Sequence, residues 1–250
     1  MTTEQFSNEF DTLLNSYART IPFGSEHSPY DIVLDEYEKS VFLTHAQRDF
    51  VESMYSGRNS YGISFEEKEE LREALDALVK TITPEQVDED SLPEHLKNLH
   101  EGSKIFMFYY LPKTLLYIIF EEVKFSSYIS GCNAGASALV VPTTHDEVWH
   151  RMKNPFRGPS KNRVLRLNAS DNIVELISDY PIGSYLLRYV DEPKPIILTD
   201  LPDDLKINGL STKTECELPA FTHQLILENA VKKALQAKSM GYSSQSSDKS

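Results

Sequence analysis

The segment of residues 185–201, "YLLRYVDEPKPIILTDL", restricts the fold of this chain more than any other stretch. Its first half alternates as a β-strand does, Pro193 and Pro195 then interrupt it, and the apolar run Ile196, Ile197 and Leu198 follows at once. Because proline has no amide hydrogen, this run cannot form the centre of a sheet. The pattern therefore predicts an extended apolar segment that the chain does not pair fully by itself.

The overall composition fits one large domain or two small ones. With 250 residues, 40% of them hydrophobic, the chain can bury a sizeable core. The formal net charge of −13 favours solubility and argues against general nucleic-acid binding. Two distant cysteines, Cys132 and Cys216, indicate a reducing compartment without a disulfide scaffold. No apolar run is long enough to span a bilayer, and the start, MTTEQFSNEF, has no signal-peptide pattern, so we expect no membrane association.

Residues 1–100 carry the pattern of helices. In a capping box, a Ser or Thr and a Glu or Gln three residues later each satisfy a free backbone donor at a helix start. The pattern occurs at Thr2-x-x-Gln5, Thr44-x-x-Gln47 and Ser64-x-x-Glu67, and we expect a short strand over residues 40–43 before the second. The glutamates around the third box indicate a capped, solvated helix, and the alternative is an acidic docking surface.

From Lys104 onward the pattern becomes that of β-strands. The runs KIFMFYY and LLYIIFEEV, separated by Leu-Pro-Lys-Thr, predict a hairpin, and RVLRL with IVELI predicts a second one. GASALVV and SYLLRYV predict further strands. A short helix should begin at Thr144, and a closing helix after Pro219 carries an apolar stripe that includes Leu227, Val231 and Leu235.

The order of these elements indicates an α+β fold, with N-terminal helices, a central and mainly antiparallel sheet, and a closing C-terminal helix. We expect one structural domain over residues 1–240, with a helical part over 1–100 and a β-rich part over 104–200. The Ser-rich tail, residues 241–250, should be disordered because its composition offers no apolar surface to bury.

The motifs that carry enzymatic or metal chemistry are not evident. No phosphate-binding loop, dinucleotide-binding or nucleophile-elbow pattern occurs. His145, Asp146, Glu147 and His150 resemble half of a di-iron site, but a second Glu-x-x-His pair is missing, so we expect a structural role for them. Cys216 has no identifiable partner base. We therefore expect no enzymatic activity, no catalytic residues, and no metal or cofactor.

One stretch is basic against the acidic whole. Residues 151–166 include no acidic side chain and six basic ones: Arg151, Lys153, Arg157, Lys161, Arg163 and Arg166. The Gly, Pro, Asn and Ser residues in its middle predict an exposed loop. Such a loop suits contact with the phosphate backbone of DNA or with an acidic partner surface, and the alternative is an ordinary solvated loop.

Three segments resemble a known family: "LDEYEKSVFLTHAQRDFVESMYSGRN", "RYVDEPKPIILTDL" and "CELPAFTHQLILENAVKKAL". In their order and spacing they are similar to ring or adaptor proteins of the head-to-tail connector of short-tailed, crAss-like bacteriophages. The resemblance implies a non-enzymatic virion protein in a homo-oligomeric ring, commonly twelvefold. Such rings stack below the portal, contact the portal protein and other connector or tail proteins, and let DNA pass through the centre.

The resemblance also implies where the protein acts and how the proline-interrupted segment is completed. The protein would reside in the virion connector, and in the host cytoplasm during assembly, and would serve genome ejection. In a ring, a neighbouring subunit can cover an apolar strand, so Ile196, Ile197 and Leu198 become candidate subunit-interface residues. The alternatives are another tail or minor head protein, or a DNA-packaging accessory that uses the basic stretch.

Overall fold

The computed structural model describes residues 1–18, 33–58, 62, 65–88, 92, 104–126, 135–170, 172–202 and 204–246. The chain forms two compact units. The helical unit comprises Met1–Leu78 with Glu192–Ser250, and the sheet unit comprises Val79–Asp191. Helices together with a mixed sheet confirm the predicted α+β class. One structural domain over residues 1–240 stays a prediction.

The α-helices within the described residues are α1 (Thr3–Ala18), α2 (Glu36–Ser56), α3 (Glu69–Leu75), α4 (His145–Lys153) and α5 (His223–Ser246). Short 3₁₀ turns lie at Phe65–Glu67, Asp76–Leu78 and Ala220–Thr222. Helix α5 continues to Ser246 and so includes most of the tail whose composition predicts disorder. No helix within the described ranges is long and apolar enough to cross a membrane.

The core of the helical unit forms where α1 and α2 pack on α5. Each helix contributes fully buried side chains, because its apolar residues recur at helical spacing on one face. They are Phe6, Phe10 and Leu14 of α1, Leu43, Ala46 and Val51 of α2, and Ile226, Leu227, Ala230, Val231 and Ala234 of α5. The stripe predicted for the closing helix is thus confirmed as core at Leu227 and Val231, whereas Leu235 is only partly buried.

Of the two predicted capping boxes that lie within the described residues, the one at Thr2 is present. Gln5 N–H donates to Thr2 Oγ1 at 3.3 Å, and Thr2 N–H donates to Gln5 Oε1 at 2.9 Å. The box at Thr44 was wrong, and so was the strand over residues 40–43, since α2 already begins after Asp35, which forms its own capping box with Glu38. Ser64 lies outside the described residues, and α3 begins after Lys68 without a side-chain cap.

The described residues of the sheet unit form a seven-stranded sheet in the order β1-β7-β3-β4-β5-β6-β2. The strands are β1 (Val79–Ile82), β2 (Ile105–Tyr110), β3 (Leu115–Phe125), β4 (Ser137–Pro142), β5 (Arg163–Ser170), β6 (Ile173–Ser178) and β7 (Ile182–Asp191). All neighbouring pairs are antiparallel except β4 with β5. The chain enters and leaves this unit through paired strands, since Val79 opposes Val190.

The hairpin predicted for β2 and β3 was wrong, whereas that of β5 and β6 is confirmed. Strand β3 has 11 residues and pairs along its whole length with β7, which has 10. Strand β2, with only 6 residues, pairs with β6 instead. Strand β7 occupies one edge of β3, and β4 pairs with the other at residues 122–124, so the neighbours of β3 in the sheet are β7 and β4 and not β2.

The two faces of the sheet are covered differently. One face holds the main core of the unit, with Val123, Val164, Leu176 and Leu187 among its fully buried residues. On the other face, Val148 and Met152 of α4 pack with Leu165, Ile177 and Val141. Leu139 lies two residues before Val141 on the same face of β4, but it is 56% exposed. A part of this second face is therefore open to solvent.

Candidate interaction surfaces

The proline-interrupted segment is hydrogen-bonded within the helical unit on both of its sides. Ile196 N–H donates to Thr44 Oγ1 at 3.1 Å, and Leu198 N–H donates to Ser40 Oγ at 3.0 Å. The amide between them, that of Ile197, donates to Thr214 O at 3.1 Å, and Thr214 N–H donates back to Ile197 O at 3.0 Å. The hydroxyls of Ser40 and Thr44, one turn apart on α2, thus accept the backbone hydrogen bonds that a neighbouring strand would otherwise accept.

The apolar side chains of this segment are covered as well as its backbone. Ile196, Ile197 and Leu198 are 0%, 0% and 5% exposed in the single chain. The expectation that they form a subunit interface was based on an apolar run without cover, and that premise does not hold. Thr44, first interpreted as a helix start, instead anchors this segment from the middle of α2.

Replacing Ser40 by Ala together with Thr44 by Val should destabilise the helical unit by about 2–6 kcal/mol. The pair of substitutions leaves two buried amides without acceptors, and each such loss costs about 1–3 kcal/mol. Ser56→Ala is the matched control, because Ser56 Oγ donates to Glu52 O at 2.7 Å, as Ser40 Oγ donates to Glu36 O at 2.6 Å, but at the exposed end of α2. Urea unfolding measures the stability of the double variant and of the control, and an equal loss of stability in the two would contradict the anchoring role.

The basic stretch is not one uniform loop. Arg151 and Lys153 end α4, and Arg163 and Arg166 belong to β5. Arg151 forms an ion pair with Glu147 at 2.7 Å, and the guanidinium of Arg163 donates to Phe156 O at 2.6 Å. The exposed cations of the stretch are Lys153, Arg157 and Lys161.

Arg166 belongs to a buried polar network on the core face of the sheet. Its Nε lies 3.4 Å from Glu121 Oε2, and the Tyr185 hydroxyl donates to Glu121 Oε1 at 2.5 Å. The side chains of Arg166 and Glu121 are 12% and 5% exposed. Burial raises the pKa of Glu121, and Arg166 and Tyr185 both act in the opposite direction. Arg166 therefore neutralises a buried carboxylate, and this placement does not suit contact with DNA or a partner.

An ordered turn connects α4 to β5 and presents an aromatic side chain. Asn154 Oδ1 accepts from Phe156 N–H at 2.9 Å, and Asn154 O accepts from Gly158 N–H at 2.7 Å. A Cβ at Gly158 would lie 2.9 Å from Asn154 O, so the turn requires glycine there. Phe156, at the tip, is 85% exposed. The turn fixes the backbone of Phe156 without covering its ring.

We use the term loop patch for a set of exposed side chains on this turn, on α4 and on β4: Leu139, Trp149, Lys153, Phe156, Arg157 and Lys161. Leu139 is the register partner of Arg163, whose guanidinium bonds to Phe156 O. Trp149 and Lys153 are neighbours on α4 because they are four residues apart. Charge counting detected the cations of this patch but missed its apolar members, which no local motif distinguishes from core residues.

The metal-like cluster is engaged in other contacts. His145 Nε2 lies 3.0 Å from Asn168 O, and Glu147 pairs with Arg151. Among the residues that the structure describes, no group of three or more potential ligands could hold a metal ion. Burial raises the pKa of the Cys216 thiol to about 11, so it is protonated at neutral pH.

A buried carboxyl in β6 makes the stability of the sheet unit depend on pH. Glu175 is 1% exposed, opposite Phe108 and Leu167, and burial raises its pKa from 4.5 to about 7. Between these two values the folded chain binds more protons than the unfolded chain. The contribution of Glu175 to stability is therefore present below pH 4.5 and is lost as the pH rises to about 7.

Glu175→Gln should therefore stabilise the chain at pH 8 by up to about 3 kcal/mol and have little effect near pH 4.5. The amide has no charge to desolvate at the higher pH. Urea unfolding of both proteins at several pH values measures the difference, with the exposed Glu85→Gln as the control. A difference that does not change with pH would contradict the proposed cause.

Comparison with known proteins shows similarity along nearly the whole chain. A family model described as phage tail ring protein 3/4 matches residues 1–246. Ring protein 3 of Bacteroides phage crAss001 is 44% identical over 239 residues, which are 95% of this chain and 96% of that protein. Ring protein 4/5 of the same phage is 34% identical over 246 residues, which are 95% of this chain and 93% of that protein. The similarity therefore includes both the helical unit and the sheet unit.

Proposed function

Because the chain belongs to the phage tail ring protein 3/4 family, we propose that it forms one ring of the head-to-tail connector, as an adaptor between portal and tail. The three quoted segments predicted a structural ring protein of a crAss-like bacteriophage, and the family and relatives of the chain confirm that prediction. The observation that supports the finer role is the 44% identity to a ring protein over 95% of the chain.

The proposal includes a homo-oligomeric ring around the path of the genome. Ring proteins assemble by repeating one heterologous contact until the circle closes. We infer twelve copies, contact with the portal protein and other tail proteins, passage of DNA through the centre, and a part in genome ejection. Assembly takes place in the host cytoplasm and the product resides in the virion. The names of the relatives support a non-enzymatic role, since both are ring proteins.

A reconstruction of the tail region of purified virions, without imposed symmetry, tests this function. We expect twelve copies of the chain in one ring of the stack below the portal, with density for DNA along the axis. Identification of the chain only in the capsid shell, or its absence from virions, would refute the adaptor role. Mass measurement of the isolated protein with and without portal protein then shows whether the ring needs the portal as a template.

A second candidate function, a DNA-packaging accessory, is favoured by the exposed cations Lys153, Arg157 and Lys161. Such a protein binds duplex DNA with a steep salt dependence. Neutralising these three residues would then lower the slope of log affinity against log salt by up to about 2.7, that is about 0.9 for each phosphate that the protein no longer neutralises. With a net charge of −13, we expect the isolated protein to show no binding that this substitution alters.

A further inference from the structure

The loop patch combines exposed apolar side chains with exposed basic ones on an acidic protein. Phe156 is 85%, Leu139 56% and Trp149 49% exposed. Lys153, Arg157 and Lys161 are exposed beside them. An apolar centre with a charged rim is the usual arrangement of a protein–protein interface. Phosphate contacts alone would explain the cations but not the exposed phenylalanine and leucine.

The turn that holds Phe156 makes this patch a prepared surface. Its backbone is already ordered by the bonds to Asn154 and by the bond from Arg163, so docking would not have to order the loop. Less conformational entropy is then lost on association. A single exposed side chain would need no explanation, but Leu139 and Phe156 are linked here through Arg163, which pairs in register with Leu139 and bonds to the backbone of Phe156.

The helical unit carries a segment of opposite charge. The 3₁₀ turn at Phe65–Glu67, helix α3 and the residue after it expose six carboxylates: Glu66, Glu67, Glu69, Glu70, Glu73 and Asp76. Two basic residues lie among them, Lys68, which pairs with Glu70 at 2.9 Å, and Arg72, so six carboxylates and two cations leave the segment a net charge of −4. A ring that closes by heterologous contacts needs two different, complementary surfaces on every copy.

We propose that the loop patch of one copy docks on the acidic segment, residues 66–76, of a second copy of this chain. Lys153, Arg157 and Lys161 would pair with its exposed carboxylates, and Phe156 and Leu139 would be shielded from water at the centre of the interface. This inference rests on the proposed ring, because the contact requires a neighbouring copy, which a chain that does not assemble lacks. Charge complementarity also orients each copy, since two patches of like charge repel each other.

Charge exchange in a phage whose own copy of the gene is disrupted tests the proposal. The host supplies the wild-type chain, the basic-reversed chain (Lys153→Glu, Arg157→Glu, Lys161→Glu), the acid-reversed chain (Glu66→Lys, Glu69→Lys, Glu73→Lys) or the chain with both sets. Purified particles are then assayed for copies of the chain. We expect each single set to lower incorporation at least about tenfold, and the combined set to restore much of it.

The controls separate this contact from a general effect of net charge and from loss of the fold. Reversal at three exposed lysines elsewhere, Lys113, Lys206 and Lys232, changes the net charge equally and should leave incorporation unchanged. Thermal unfolding of the basic-reversed chain should match that of the wild type, whereas a contact within one chain would lower it. The acid-reversed chain should melt only slightly lower, because Glu69 is lost from the first turn of α3. Normal incorporation of the basic-reversed chain would overturn the proposal. If the particles that contain this chain also retained their DNA poorly, the result would indicate that the loop patch contacts DNA instead. Loss in both single sets without restoration in the combined set would also overturn it.

A second variant tests the apolar centre without a change of charge. Phe156→Ser should lower incorporation but not thermal stability, because the ring is already exposed in the single chain. Phe221→Ser, at another phenylalanine that is 60% exposed, is the control. Failure of the wild-type chain to enter particles would refute the ring itself. Entry of the wild type and of Phe156→Ser in equal numbers would refute only the apolar contact at the loop patch.

Discussion

Replacing Ile196 and Leu198 together by Asp should unfold the helical unit of the isolated chain. Both side chains lie in the core, at 0% and 5% exposure. Each uncompensated buried charge costs about 3–5 kcal/mol. Two of them approach the entire stability of a typical domain, which is about 5–15 kcal/mol. We expect loss of the helical circular dichroism signal and rapid proteolysis of the variant.

Thr199→Asp, next to the same segment but at an exposed position, is the control for this experiment and should have little effect. The result also decides between two roles of the segment. A variant that keeps its helical signal and thermal midpoint, but does not enter particles, would restore the subunit interface that the proline pattern first suggested. Unfolding would show that failure to assemble follows from loss of the fold.

Arg166→Ala should destabilise the sheet unit by about 3–5 kcal/mol, because it leaves the buried carboxylate of Glu121 without its counter-charge. The pKa of Glu121, already raised by burial, should rise further once Arg166 is removed. The loss should therefore shrink at low pH, where Glu121 takes up a proton and no longer needs the cation. Urea unfolding at pH 5 and pH 8 measures both effects.

The double variant Arg166→Met with Glu121→Gln should recover much of the lost stability, since replacing both partners of a buried pair is often neutral. Arg157→Ala, on the exposed turn, is the control and should stay within about 0.5 kcal/mol of the wild type. A stable Arg166→Ala variant with weakened binding to DNA or to a partner would return Arg166 to the set of contact residues.

Local signals in the sequence predicted elements well and their partners poorly. Thr2 and Gln5 satisfy each other within one turn, so their pattern alone was sufficient. Thr44 shows the same pattern, but its hydroxyl bonds to a backbone 152 residues away, and no local pattern records that contact. Alternation likewise identified β2 and β3 as strands, whereas their pairing depends on β6 and β7, more distant along the chain.

The position of Arg166 was within reach of sequence reasoning. Side chains alternate along a strand, so Arg166 shares a face with Val164, which is fully buried. Treating residues 151–166 as one basic stretch hid this alternation, because charge was counted across the boundary between a turn and β5. The exposure of Leu139 was not within reach, since only the packing of α4 on the sheet decides which apolar side chains of a strand remain uncovered.

The sheet unit is an insertion in the helical unit, and its two ends are neighbours. Val79 opposes Val190, and Lys80 forms an ion pair with Asp191, so entry and exit lie side by side on paired strands. Units with adjacent ends can be inserted or exchanged without breaking the host fold. During synthesis α1 and α2 are made first, but they pack on α5, which is made last. The helical unit can therefore complete its core only after the whole sheet unit has been synthesised. The architecture is thus modular, since the inserted unit can change in sequence or be exchanged while the core of the helical unit is kept.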